Sequence, residues 1–111
     1  MNCVQLIGRL AKEPELRETR NGKSVCSFPL AVDNPYGEGA DFFDVTAWGK
    51  TAENTAKYMV KGSQVGVNGR LEQQKWEQDG QKRSKVAVIA ERVTFLQKAN
   101  GNKDDFEDAP F

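Results

Sequence analysis

Apolar and polar residues alternate along most of this chain, and a period of two predicts strands. From Phe42 to Trp48, alternation sets Phe43, Val45 and Ala47 on one side as a core face. Phe42, Asp44, Thr46 and Trp48 share the other side. A second segment repeats the arrangement, with Val65, Val67 and Leu71 on one parity and Asn68, Arg70, Gln74 and Trp76 on the other. Three large aromatics therefore fall on polar faces. Such residues fill a second core or a subunit interface, or they offer flat platforms for unpaired nucleobases.

The remaining pattern supplies the order of elements. Residues 2–11 predict a strand with Val4, Leu6 and Leu10 inward, ended by Lys12-Glu13-Pro14. Residues 15–19 predict a short extended piece before the hairpin signal Asn21-Gly22. Residues 23–34 predict the next strand, with Cys26, Phe28, Leu30 and Val32 inward, and the Pro- and Gly-bearing stretch 34–39 predicts a loop carrying Tyr36. Residues 49–60 predict the one helix, with an apolar stripe of Ala52, Ala56, Met59 and Val60 and a Glu53–Lys57 pair. Strands over 63–76 and 82–97 follow, joined by a turn at Gln78-Asp79-Gly80-Gln81. The last strand has apolar residues on both parities, as expected for burial on two sides or for bending around a barrel. The predicted class is all-β: a five-stranded OB-fold barrel with one helix between strands three and four, an arrangement that commonly binds oligonucleotides.

Composition narrows this. A chain of 111 residues makes one domain, and a mean hydropathy of −0.68 with 29% charged residues fits a soluble protein. No apolar run approaches the roughly 20 residues needed to span a bilayer, and the start lacks a signal-peptide core, so a cytoplasmic location is expected. Two cysteines make no disulfide framework: Cys26 is expected to be a buried thiol, and Cys3 an exposed or interfacial one. The formal net charge of zero conceals an asymmetry. Residues 1–98 hold 15 Lys and Arg against 12 Asp and Glu, whereas residues 99–111 hold one Lys against four acids. The expected organisation is therefore a mildly basic domain over 1–98 and a disordered acidic tail over 99–111.

Catalysis has little to stand on. There is no histidine, no cysteine cluster at metal spacing and no Gly-rich phosphate loop. Asp41 and Asp44, three apart on a strand, point to opposite faces. No cofactor or metal is expected. An RNA-binding module of the cold-shock type shares the surface aromatics, but such chains are shorter and rarely carry the helix or an acidic Pro-Phe ending.

Several segments, in order and at their spacings, resemble the bacterial-type single-stranded DNA-binding proteins, which are homotetrameric OB-folds. They are Gly8-Arg9-Leu10, Pro14-Glu15-Leu16-Arg17, Leu30-Ala31-Val32, Trp48-Gly49-Lys50-Thr51-Ala52-Glu53, Lys61-Gly62-Ser63-Gln64-Val65 and Gly69-Arg70-Leu71. Asp104-Asp105-Phe106-Glu107-Asp108-Ala109-Pro110-Phe111 resembles the acidic Pro-Phe ending of many members. The resemblance implies base stacking by Phe42, Trp48 and Trp76, with Tyr36 in a loop that often adds another stacker. It implies phosphate contacts from Arg9, Arg17, Lys50, Lys61, Arg70 and Lys75. It further implies a tetramer that coats single strands without regard to sequence, and a tail that recruits replication, repair and recombination proteins. This chain departs from the pattern at Glu72-Gln73-Gln74 and at Asp44, where basic or neutral residues are common, and at Ala109, where a bulkier aliphatic is common. Its short loop and linker resemble accessory, phage or plasmid versions.

Overall fold

Hydrophobic alternation closes into a ring. In the computed structural model, residues 1–97 are described, and they form β1 (Val4–Leu10), β2 (Glu15–Glu18), β3 (Ser24–Asp33), β4 (Ala40–Trp48), α1 (Gly49–Tyr58), β5 (Gln64–Gln78) and β6 (Gln81–Gln97). The strand order is β1-β5-β6-β4-β3-β2, and a further β1–β3 pairing joins the ends of a five-stranded barrel. All pairings are antiparallel except β4 with β6. The expected extended piece at 15–19 is a true strand, β2, which sits outside the ring on β3. The helix lies between the third and fourth ring strands in chain order, as expected.

The inward parities meet in one core that includes Leu10, Cys26, Phe28, Leu30, Val45, Val65, Val67, Val88 and Phe95. Burial pushes the Cys26 thiol above its ordinary range by desolvation, while Cys3 is exposed. The double apolar parity of β6 has a geometric cause. Asn68 faces Arg92 and Gly69 faces Ala90, so Glu91 is an extra residue without an opposite partner. This bulge flips the alternation, and Val93 and Phe95 on one parity join Val88 and Ala90 on the other in the same core. At that point the ladder is tight: a Cβ on Gly69 would stand 2.0 Å from the Ile89 carbonyl oxygen.

Two residues expected inward on strands are exposed. Phe43 and Leu71 are 39% and 45% exposed. β4 meets β6 only from Val45 to Ala47, opposite Val88 to Ala90. Phe43 lies beyond that contact. Leu71, opposite Val88, begins the part of β5 and β6 that runs past it as a two-stranded arm. The arm closes at Asp79 (φ 52°) and Gly80 (φ 77°), the left-handed pair that suits a two-residue hairpin turn.

α1 lays Ala52 and Thr55 against the barrel, with Met59 buried just after its end. It stops at Tyr58, so Val60 lies outside the helix and is exposed. The expected Glu53–Lys57 pair is not formed. The Glu53 carboxylate accepts from the Ser24 hydroxyl at 3.1 Å, and the Lys57 ammonium sits 5.2 Å from the centre of the Tyr58 ring. Among the described residues, no helix is long and apolar enough to cross a membrane.

Candidate nucleic-acid interface

Residues opposite each other across a ladder point to the same side of the sheet. The register therefore assigns the outer face rung by rung. One rung carries Arg17, Val25 and Trp48 across β2, β3 and β4. The next carries Glu15, Ser27, Thr46, Ile89 and Arg70 across five strands. Further along β3 and β4 come Pro29 opposite Asp44, then Ala31 opposite Phe42. On the arm, the same side carries Glu72 opposite Ala87, Gln74 opposite Lys85 and Trp76 opposite Arg83.

The three parity-selected aromatics thus share one face, each at least two-fifths exposed. Trp48 and Phe42 stand at opposite ends of β4, six residues and about 20 Å apart at strand rise. Trp76 stands on the arm. Tyr36 is 97% exposed in the β3–β4 loop, where its backbone N–H donates to Asn34 Oδ1 at 2.9 Å. That short turn holds the loop while leaving the ring in solvent.

The six cations expected to meet phosphate do not all share this face. Arg17 lies on the Trp48 rung and lines a groove that also contains Phe42 and Asp44. Lys50 is exposed in the first turn of α1, two residues after Trp48. Lys61 is exposed in the turn after α1, where its backbone N–H donates to Glu13 at 3.2 Å. Arg70 is on the face but lies 3.3 Å from Glu72. Lys75 falls on the opposite side of the arm from Trp76, by alternation. Arg9 is committed elsewhere: its guanidinium donates to the Gly62 carbonyl at 2.8 Å and to Gln97 Oε1 at 3.0 Å, tying β1 to the end of β6.

Two further cations belong to the face and were not among those expected. Lys85, on the arm opposite Gln74, lies 3.4 Å from Asp44 of β4, and Arg83 lies opposite Trp76. The Asp79-Gly80 turn was the signal that leads to them, because a two-residue turn fixes which residues of β6 oppose Trp76 and Gln74. The face thus carries Arg17, Arg70, Arg83 and Lys85 against Glu15, Asp44 and Glu72, close to balance. Its two ion pairs are roughly half exposed and contribute at most about 1 kcal/mol each, so either cation is available to a competing anion.

The sheet therefore presents separated flat rings on a nearly neutral, partly cationic surface. Among the described residues, no cluster of three or more Asp, Glu or Cys is placed to hold a metal. The acidic stretch Asp104 to Phe111 lies outside the described residues.

A model of the single-strand binding protein family matches residues 1–96. A single-stranded DNA-binding protein of Bacillus cereus is 49% identical over 107 residues, covering 91% of this chain and 63% of its own length. Single-stranded DNA-binding protein 3 of Clostridium acetobutylicum is 44% identical over 117 residues, covering all of this chain and 81% of its own. The relative from Treponema pallidum, with the same name as that of Bacillus cereus, is 39% identical over 117 residues and is covered to 66%. The chain thus spans just under two thirds of the Bacillus cereus and Treponema pallidum relatives.

Proposed function

The chain belongs to the single-strand binding protein family, and from that premise we propose that it binds and protects single-stranded DNA during replication, recombination and repair. The observation that carries this is the placement of Phe42, Trp48 and Trp76 on one side of the sheet beside Arg17, Lys85 and Arg83. Each base–aromatic stack stabilises the complex by about 1–3 kcal/mol and tolerates any base. Duplex DNA keeps its bases stacked inside and cannot use such rings. The role is one of binding, without chemistry on the DNA.

A titration of intrinsic tryptophan fluorescence tests this. Single-stranded oligonucleotides quench Trp48 and Trp76, and duplex of the same sequence does so far less. Equal quenching by both would overturn the proposal. Repeating the titration at several salt concentrations reads the cations, since each phosphate neutralised adds about 0.7 to the log–log slope for single strands. Because Asp44 and Glu72-Gln73-Gln74 stand where cations could be, the face holds few phosphate partners and the slope is shallow. Glu72→Arg with Gln74→Arg steepens it by about 1.4 if both new cations meet phosphate. An unchanged slope would mean that the strand does not pass the arm.

We further propose that the chain works as a homo-oligomer, a tetramer, in the cytoplasm. Exposed Ile7 and Cys3 on the outer side of the β1 segment support a contact between copies. The acidic segment 104–111 recruits replication and repair proteins. Its carboxylates repel phosphate, so it does not hold DNA itself. Deleting Asp104–Phe111 leaves DNA affinity equal or tighter at low salt and abolishes pull-down of those proteins. Weakened DNA binding would assign the segment to the DNA site.

A further inference from the structure

We propose that the side chain of Asn2 is a positioning residue for DNA binding: it clasps β5 at the base of the arm and so fixes where Trp76 meets a base. This rests on the reading of the outer face as the DNA site and adds a residue that acts on that site from outside it.

The backbone ladder between β1 and β5 runs from Arg9 opposite Gln64 to Val4 opposite Gly69 and goes no further. Continued by two residues, the same register would set Asn2 opposite Leu71, but Asn2 lies outside β1. Its side chain takes over there. The Asn2 Nδ2 amide donates to the Leu71 carbonyl at 2.8 Å, and the Leu71 N–H donates to Asn2 Oδ1 at 2.9 Å. A carboxamide carries the same donor and acceptor as a peptide unit, so it reproduces one hydrogen-bonded rung of an antiparallel ladder.

The place of this clasp gives it leverage. Leu71 and Val88 lie opposite each other where both strands of the arm part from the barrel. β5 has left β1 at Gly69, and β6 meets β4 only from Val88 to Ala90. Beyond that point the two strands pair with each other, out to Gln78 opposite Gln81. From Leu71 to Trp76 the distance is about 17 Å at strand rise, so a rotation of about 10° at the base carries the ring about 3 Å. That is close to the rise between stacked bases, roughly 3.4 Å.

The β6 side of the base is held differently, by Lys85 standing 3.4 Å from Asp44. This is an exposed ion pair, which salt screens and for whose cation phosphate competes. The Asn2 clasp is neutral and keeps its hold as phosphate arrives. An arm fixed beforehand loses less freedom when a strand binds, so the clasp raises affinity through preorganisation.

The test is a pair of double-mutant cycles on the full chain, read by anisotropy of labelled oligo-dT. Asn2→Ala weakens binding about fivefold in the natural background, about what one ordinary hydrogen bond contributes. The loss is the same in Trp48→Ala. In Trp76→Ala it falls below about twofold, because the ring that the clasp places is gone. A merely structural role would lower affinity alike in both backgrounds. Asn2 is exposed and outside the core, so the variants stay folded, as thermal melts check. An equal loss in both backgrounds, or none in the natural chain, overturns the inference while leaving single-strand binding intact. Natural affinity in Trp76→Ala alone overturns the stacking role of Trp76, and the inference with it.

Discussion

Trp48→Ala and Trp76→Ala each weaken binding of single-stranded DNA by about 1–3 kcal/mol, a loss of roughly five- to 150-fold in affinity. Both rings are more than two-fifths exposed on the outer side of the sheet, so their removal leaves no cavity in the core. Trp76 stands on the arm, past the rungs that join β4 to β6, where truncation disturbs little packing. The thermal midpoint therefore moves little while affinity falls, and fluorescence anisotropy of a labelled oligonucleotide reads the fall directly. Trp48→Phe retains most of the affinity, since phenylalanine keeps a π-face. Natural affinity in both alanine variants would remove stacking from the account.

Gly69→Ala destabilises the fold by about 3 kcal/mol, the upper end of what overpacking usually costs. The added methyl group would lie 2.0 Å from the Ile89 carbonyl oxygen and 2.9 Å from its carbon. Both are backbone atoms in the strand that β4 also joins, so no side-chain rotation relieves the clash. The ladder must open at the bulge. Gly66→Ala is the control: its nearest neighbour is the Leu96 Cδ1 atom at 3.8 Å, an ordinary contact. Urea unfolding midpoints of the two variants separate the cases, and equal midpoints would mean that the strands part freely at Gly69. Against a typical domain stability of about 5–15 kcal/mol, such a loss is large.

Much of the fold was legible because alternation is a local property. The inward sets Cys26/Phe28/Leu30 and Val65/Val67 and the outward set Phe42/Thr46/Trp48 follow from parity alone. What parity does not carry is where a strand loses its neighbours. Phe43 and Leu71 have core parity and yet face solvent: the rungs from β4 to β6 end at Val45, two residues short of Phe43, and those from β1 to β5 end at Gly69, two residues short of Leu71. The bulge at Glu91 is equally invisible locally. It exists because Gly69 and Ala90 meet across the ladder, some twenty residues apart in the chain.

The makeup of the candidate face was legible to a similar depth. Its aromatics were accessible to counting along single strands, whereas its cations needed counting across a hairpin. Lys75 is adjacent to Trp76 in sequence and lies on the other side of the arm, while Arg83, seven residues away, lies opposite the ring. The resemblance pointed to Arg9 as a phosphate contact, and in the structure its guanidinium also donates to Gly62 and Gln97. No feature of the sequence within a few residues of Arg9 reveals those partners.

The connectivity of the barrel also sets an order of assembly. The β5–β6 hairpin pairs Gln78 with Gln81 and zips outward through neighbours close in the chain, so forming it spends little loop entropy. β1 has the opposite standing, since Arg9 must find Gln64 and Val4 must find Gly69 across more than fifty intervening residues. Contacts of such long separation are the slow ones in folding. Until β5 has been made, β1 can pair only with β3, where Arg9 meets Ala31 and Leu10 meets Leu30. β1 thus precedes β5 in the chain by more than fifty residues and is fully seated only after it, and its pairings with β3 and β5 close the ring.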